Sequence, residues 1–239
     1  MAESHIATEH TASHPGLQHH FANLEQQREA GTLGMWVFLV TEIMFFGGMF
    51  LAYTLYRTTY PQAFASASNH LSWQLGAINT GVLIISSFTM ALAVYSAQTG
   101  KRRNQVIFLA LTILLGLTFL AIKAIEYREK YVDHLIPGRL FPGNPFNPGK
   151  VHLLPGASAN NVEMLYWIYL AMTGMHPVHM IIGVGVLSVI MYFAARGRYS
   201  PEYHNPVEVS GLYWHFVDII WIFLFPLLYL LGRHLEHGG

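Results

Sequence analysis

No cysteine occurs among the 239 residues of this chain. That excludes a disulfide framework, a thiolate metal site and a Cys-x-x-Cys-His haem attachment, so redox chemistry nearby is not covalently anchored to this polypeptide. Charge is scarce too. Only 11% of the residues are Asp, Glu, Lys or Arg, against about 25% in soluble domains, and the 13 basic and 13 acidic residues cancel. A balanced charge removes nucleic acid as a partner. There is no phosphate-cradling glycine loop, and no Ser, Thr or Lys sits in the context of an activated nucleophile. The opening residues have no basic stretch leading into a short apolar core, so no cleaved signal peptide is expected.

What is abundant is apolar: 53% of the residues are hydrophobic, which marks a membrane protein. With about 20 apolar residues needed to span a bilayer core, five segments qualify, Thr32–Tyr56, Trp73–Ala97, Asn104–Glu126, Val162–Ala195 and Ser210–Leu231. The expectation is an all-α integral membrane bundle of five transmembrane helices over residues 32–232. Residues 1–31, with His5, His10, His14, His19 and His20 among polar neighbours, form a flexible polar tail, and residues 233–239 a short one. The fourth span is long enough to tilt or kink, with Pro177 as the site.

Between spans, residues 127–161 make a long extramembrane loop rich in Pro and Gly that folds over one end of the bundle. It ends in Asn160-Asn161-Val162-Glu163, where Asn160 suits a helix N-cap with Glu163 three residues on. Lys101, Arg102 and Arg103, with Arg196 and Arg198, mark two loops as cytoplasmic by the positive-inside rule. The amino terminus is then inside and the carboxyl terminus outside. The opposite side carries Arg57, Arg128, Lys130, Arg139, Lys150 and Arg233, four of them in or beside the long loop, where charge weighs less.

Polar groups inside the spans are the candidates for function. Glu42 stands in FLVTEIMFFGGMFLAY, and a carboxylate stripped of water must be neutral, partnered or turned towards protein. It either exchanges protons or bonds a neighbouring helix and holds the bundle together. TGMHPVHMIIG carries His176 and His179 at i, i+3. A catalytic zinc wants a third ligand and a nearby acid, so these histidines read best as packing groups that bond across helices, with Gly183 and Gly185 allowing close approach. His215 and Asp218, three residues apart, can neutralise one another or fix an imidazole tautomer. Trp214 and Trp221 are interface and packing aromatics. Lys123, Glu126 and Tyr127 form a stripe near a membrane surface, read as a snorkelling lysine paired with its own glutamate.

FLVTEIMFF, LAIKAIEY, TGMHPVHMIIG, and His204 with Glu208 ahead of YWHFVDIIWIFLF together resemble subunit III of the haem-copper respiratory oxidases, most closely that of cytochrome c oxidase. The motifs keep the family's order across residues 32 to 232. Many family members have seven helices. This chain lacks the first two, as the shorter bacterial form does, and Pro177 stands where a small residue is more usual. The resemblance implies two helix groups separated by a lipid-filled V-shaped cleft. It implies a non-catalytic subunit of an aa3-type cytochrome c oxidase, an enzyme of aerobic electron transport and proton translocation, in a bacterial plasma membrane.

Such a subunit packs on subunit I, binds phospholipid and supports proton uptake and sustained turnover. It binds no cofactor itself: haem and copper reside in partner subunits I and II, and cytochrome c is met through subunit II. A larger respiratory supercomplex is a further partner to expect. Glu42, His176, His179, His204, Glu208, His215 and Asp218 match the family's polar positions, Lys123 and Glu126 lie in its LAIKAIEY motif, and Glu42, Arg57 and Arg196 are candidates for lipid contact. Joined to the residue reading, this expects Glu42 to be protonated at neutral pH and bonded across helices. The alternatives are a quinol oxidase subunit III, a nitric oxide reductase accessory subunit, a proton-coupled transporter using Glu42 and His176, and a haem-carrying membrane cytochrome.

Overall fold

The computed structural model describes residues 20–68, 73–137, 146–147, 151 and 153–230. The tail histidines His5, His10, His14 and His19, the basic Arg139, Lys150 and Arg233, and the closing tail lie outside the described residues. Six α-helices follow in order: α1 Leu24–Thr59, α2 Pro61–Ser68, α3 Trp73–Gln98, α4 Arg102–Val132, α5 Ala159–Ala195 and α6 Asn205–Phe225, the last continuing as a π-helical turn over Pro226–Leu230. Five of them are long and apolar enough to cross a membrane. The expected five-helix all-α bundle is therefore the observed architecture.

The ends differ from the sequence expectation. α1 begins eight residues before Thr32, capped where the Gln26 backbone N–H donates to Asn23 Oδ1 at 2.8 Å and the Ala22 N–H reaches Gln26 Oε1 at 2.8 Å. Residues 24–31 thus belong to a helix and not to a flexible tail. α4 runs six residues past Glu126, so the loop is shorter than 127–161. Both overhangs are polar, and at 1.5 Å per residue a 36-residue helix is about 54 Å long, well beyond the roughly 30 Å hydrocarbon core. Asn160 is not the cap of α5: the helix starts at Ala159 with Ser158 in the capping position, and no side chain closes it. α5 runs unbroken through Pro177. The short α2 was not anticipated, because eight residues of PQAFASAS carry no spanning signal.

Helices α3, α4, α5 and α6 close a ring in which each packs on the next and α6 returns to α3. α1 lies outside that ring against α5 and α6, and α2 rests on α5. α1 buries a single seam, Leu39, Phe46 and Tyr53, spaced seven residues apart, and leaves most of its surface outward. Outside lipid-facing surface is expected to be apolar, and Leu33, Val40, Met44, Leu51 and Leu55 all point outward. Beyond the seam, α1 and α6 diverge around an open apolar groove of about 570 Å³ lined by Trp36, Ile43, Phe50, Phe216 and Phe223, with His215 at its edge.

Inside the ring, small residues let the helices approach closely. The indole of Trp214 lies between Gly116 of α4 and Gly183 of α5; a Cβ built on these glycines would stand 2.7 Å and 3.0 Å from it. Gly185 meets nothing within 4 Å, so only Gly183 of the expected pair serves close packing. Trp214 and Trp221 are both fully buried and act as core aromatics, not interface belts.

The turns joining α3 to α4 and closing α5 share one design. Gly100 and Gly197 adopt positive φ, 70° and 76°. Lys101 N–H returns to the Ser96 carbonyl at 2.9 Å and Arg198 N–H to that of Phe193 at 3.1 Å, the Schellman closure that favours glycine. The Arg102 guanidinium then crosses to the Ala195 carbonyl at the end of α5, locking the two turns together. At the opposite end of the ring, the loop after α4 buries Leu135, Ile136 and Val151, and Leu154 N–H donates to Ser66 Oγ of α2 at 2.9 Å. Its described residues thus pack against that end of the bundle.

Candidate functional site

Among the described residues, three groups of ionisable side chains lie within the helices. The first surrounds Lys123 and Glu126, one turn apart on the inward face of α4. Lys123 Nζ donates to Glu126 Oε2 at 2.9 Å and to the Tyr229 hydroxyl at 2.8 Å. Tyr169 of α5 donates to Glu126 Oε1 at 2.8 Å and Tyr229 to the same oxygen at 2.5 Å. Trp221 faces the ammonium at 4.5 Å from its ring centroid. Lys123 is 1% exposed and Glu126 0%. The expected pairing is present, but the snorkelling is not: the pair is sealed in the core. Burial is tolerable because the carboxylate receives three hydrogen bonds and the ammonium meets an anion, a phenol oxygen and an aromatic face. Tyr127 turns elsewhere, donating to Thr173 Oγ1 at 3.0 Å.

The π turn makes the first group. Pro226 lacks an N–H and the chain widens there, swinging Tyr229 back onto Lys123. Tyr53 of α1 holds this turn by donating to the Leu227 carbonyl at 2.6 Å. Tyr169 and Tyr229 were not anticipated. Tyr169 stands two turns before His176 on the inward face of α5 and was open to that argument. Tyr229 was not, because its direction depends on a π turn.

The second group joins α1 to α5. His179 Nε2 lies 3.1 Å from Glu42 Oε2, while His179 Nδ1 lies 2.9 Å from the Met175 carbonyl. A carbonyl only accepts, so Nδ1 carries the proton. Nε2 then either accepts a proton from a neutral Glu42 or belongs to an imidazolium facing a carboxylate; both forms carry no net charge. The expected cross-helix bond is thus present for Glu42 and His179. Phe46 packs on the imidazole, with ring centroids 5.3 Å apart, and Tyr213 donates to the His179 carbonyl at 3.0 Å.

His176 behaves differently. It is completely buried beside Phe119 and Trp221, at centroid distances of 5.3 Å and 5.2 Å, and neither ring nitrogen has a hydrogen-bond partner among the described residues. The cross-helix bond expected of it is absent. Successive i, i+3 residues diverge by about 60° around a helix, which is enough to send His179 to α1 and His176 into the ring.

The third group follows α6. His215 does not pair with Asp218: its Nδ1 lies 2.7 Å from Ser87 Oγ of α3. Asp218 is buried, and the Ser87 hydroxyl lies close enough to act on its carboxyl as a hydrogen bond. Nearer the start of α6, His204 Nε2 and Glu208 Oε1 are 3.1 Å apart, and Gln98 of α3 donates to the same oxygen at 2.6 Å. Arg57 ends α1, and Arg196 caps α5 with its guanidinium over the Tyr192 ring at 4.5 Å. These two sit at opposite ends of the bundle, away from Glu42, so the candidate lipid residues do not form one site. A further row was not anticipated: Trp214 Nε1 donates to Ser86 Oγ at 3.0 Å, and Thr89 meets Thr112 at 2.8 Å.

Chemically these groups pair, cap and pack. Among the described residues no three His, Asp or Glu side chains come together as a metal-binding set.

The chain matches the family model for cytochrome c oxidase subunit III over residues 16–134 and 162–233. It is 28% identical over 219 residues to quinol oxidase subunit 3 of Bacillus subtilis, covering 88% of this chain and 93% of that protein. Cytochrome c oxidase subunit 3 of Thermostichus vulcanus is 29% identical over 229 residues, covering 95% and 94%. That of Gallus gallus is 31% identical over 208 residues, covering 83% and 69%. The gap in the family match falls on the loop after α4, and every polar group described above lies within the matched stretches, so the chain belongs to the cytochrome c oxidase subunit III family of haem-copper oxidase subunits.

Proposed function

We propose that this chain is the non-catalytic subunit III of an aa3-type cytochrome c oxidase in a bacterial plasma membrane, packed on subunit I beside a subunit II that meets cytochrome c. Haem and copper belong to those partners. The role is to seat phospholipid and to support proton uptake and sustained turnover. The observation that most favours it is the division of the surface. The Lys123–Glu126 pair, through Tyr169 and Tyr229, and the Glu42–His179 pair are spent on contacts within this chain's own bundle, whereas the open groove between α1 and α6 presents apolar side chains suited to acyl chains. The test is catalytic lifetime. A complex depleted of this chain should begin turnover normally and then lose activity early; full activity through prolonged turnover would refute the supporting role.

The electron donor separates this reading from a second one, favoured by the likeness to the Bacillus subtilis protein named quinol oxidase subunit 3. Assaying the purified complex with reduced cytochrome c and with a quinol decides between them.

Orientation follows from charge. Lys101, Arg102, Arg103, Arg196 and Arg198 gather at the end of the ring where α3 turns into α4 and α5 ends, and this reading places that end, with the start of α1, in the cytoplasm. The absence of cysteine makes a direct check available. In spheroplasts, an impermeant maleimide should label Val132→Cys and leave Thr99→Cys unlabelled until the cells are opened. The reverse pattern would invert the topology.

Glu42 is read as protonated and donating to His179. An infrared carboxylic C=O band that disappears in Glu42→Gln is expected. If the substitution leaves the band region unchanged, the pair is an imidazolium and a carboxylate instead.

A further inference from the structure

Asp218 is 2% exposed, and among the described residues the Ser87 hydroxyl of α3 is the one group that acts on its carboxyl as a hydrogen bond. Ser87 Oγ also lies 2.7 Å from His215 Nδ1. One hydroxyl, about midway along α3, therefore links a buried carboxyl to an imidazole. His215 is only half-buried, and its other ring nitrogen, Nε2, has no partner among the described residues. The ring instead lines a crevice of about 420 Å³ between α1, α3 and α6.

The crevice is polar where the bundle ends. Tyr95 and Gln98 of the last turn of α3, Glu208 of the first turn of α6 and Thr32 of α1 line it there, at the end where α3 turns into α4. From Glu208 to His215 is seven residues, or about 10 Å along α6. The adjoining α1–α6 groove has no polar side chain in its lining except His215. Water needs polar partners and about 30 Å³ for each molecule, and the crevice offers both. The titratable groups facing it are Glu208, Tyr95 and His215; α1 adds a hydroxyl and no charge. His204 and Gln98 both bond the Glu208 carboxylate at the mouth.

We propose that this crevice and the chain His215–Ser87–Asp218 form a proton route from the end of the bundle to its core. Asp218 faces no cation among the described residues, so in the resting state it is a neutral acid donating to Ser87 Oγ. Ser87 then donates to His215 Nδ1, and Nε2–H points to the crevice. Release runs in one direction: Nε2 gives its proton to water, Nδ1 takes the Ser87 proton, and Ser87 takes that of Asp218, leaving a carboxylate. Uptake reverses each transfer, so one proton and one charge are exchanged per event. The route belongs to this chain's own residues. Its infrared readout follows the route alone, and catalytic lifetime follows the supporting role alone, so either can fail without the other.

Time-resolved infrared spectroscopy of the intact oxidase after transfer to D₂O tests the route. Asp218→Asn identifies the Asp218 carboxylic C=O band by removing it; should that variant fail to assemble, Asp218→Glu identifies the band by moving it. In the unmodified complex the band should shift as the acid takes up deuterium. Ser87→Ala and His215→Phe should each slow that shift by about a hundredfold, the lower end for a positioned proton carrier. Ala91→Phe, which plugs the crevice from α3, should slow it as well while leaving the relay residues in place. The absence of an Asp218 carboxylic band, or a band that never exchanges, would overturn the route. So would an unchanged exchange rate in Ser87→Ala, a variant that removes one oxygen and decides the matter alone if His215→Phe does not assemble.

Discussion

Glu126→Ala is expected to destabilise the subunit by about 3–5 kcal/mol, the cost typical of leaving one member of a buried ion pair without the other. Lys123 keeps its ammonium inside the ring only because Glu126 Oε2 and the Tyr229 hydroxyl accept from it. Without the carboxylate, the ammonium faces one phenol oxygen and the Trp221 ring, and Tyr169 and Tyr229 lose their shared acceptor at Glu126 Oε1. The paired replacement Lys123→Met with Glu126→Leu removes both charges and fills comparable volume, and it should cost far less than either single change. A double-mutant cycle on thermal unfolding of the purified complex measures the difference. If Glu126→Ala costs under about 1 kcal/mol, a loss typical of an exposed pair, the pair is not sealed as described.

The five spans were legible because apolar length alone identifies a helix that must satisfy its backbone within lipid. Their ends were not. LEQQREAG and YREKYV are polar but favour helix, and they continue α1 and α4 beyond the hydrocarbon, where hydropathy stops reporting. The Asn23–Gln26 cap was written in the sequence as a helix start signal and would have placed the beginning of α1 correctly. The Schellman glycines gave similar local evidence at Gly100 and Gly197.

Within the site, local spacing carried the Lys123–Glu126 pair and failed on depth. Depth is set by Tyr169, 43 residues from Glu126 in sequence, and by Tyr229, 103 residues from it. Glu42 and His179 illustrate the same limit from the other side. Each was recognisable as a group needing a partner, but the two are 137 residues apart and only the packing of α1 on α5 brings them together. His215 and Asp218 show why spacing misleads when a neighbouring helix offers a better partner: the Ser87 hydroxyl takes the imidazole that i, i+3 placement assigned to the aspartate.

Gly116→Leu is the second large effect expected, and its cause is geometric. The Trp214 ring is held from two sides, by Gly116 of α4 and Gly183 of α5, and its indole N–H is fixed to Ser86 of α3. A Cβ at position 116 would stand 2.7 Å from Trp214 Cη2 and 3.3 Å from Val184 Cγ2, so the indole must move. It has little room to retreat, because Gly183 flanks its other side so closely that even a Cβ built there would stand 3.0 Å from Cζ3. Leucine therefore separates α4 from α6, breaks the Trp214–Ser86 bond and costs at least the roughly 1–3 kcal/mol of ordinary overpacking. Trp214→Ala removes the wedge and opens a cavity instead, at about 3–5 kcal/mol. Combined, the two changes should partly cancel, since the leucine occupies space the indole vacates. The double variant is expected to be more stable than the sum of the single losses by about 0.5–3 kcal/mol, the range for residues in direct contact. Unfolding midpoints of the four assembled complexes provide the comparison, and strict additivity would mean that Trp214 is not clamped between the two glycines.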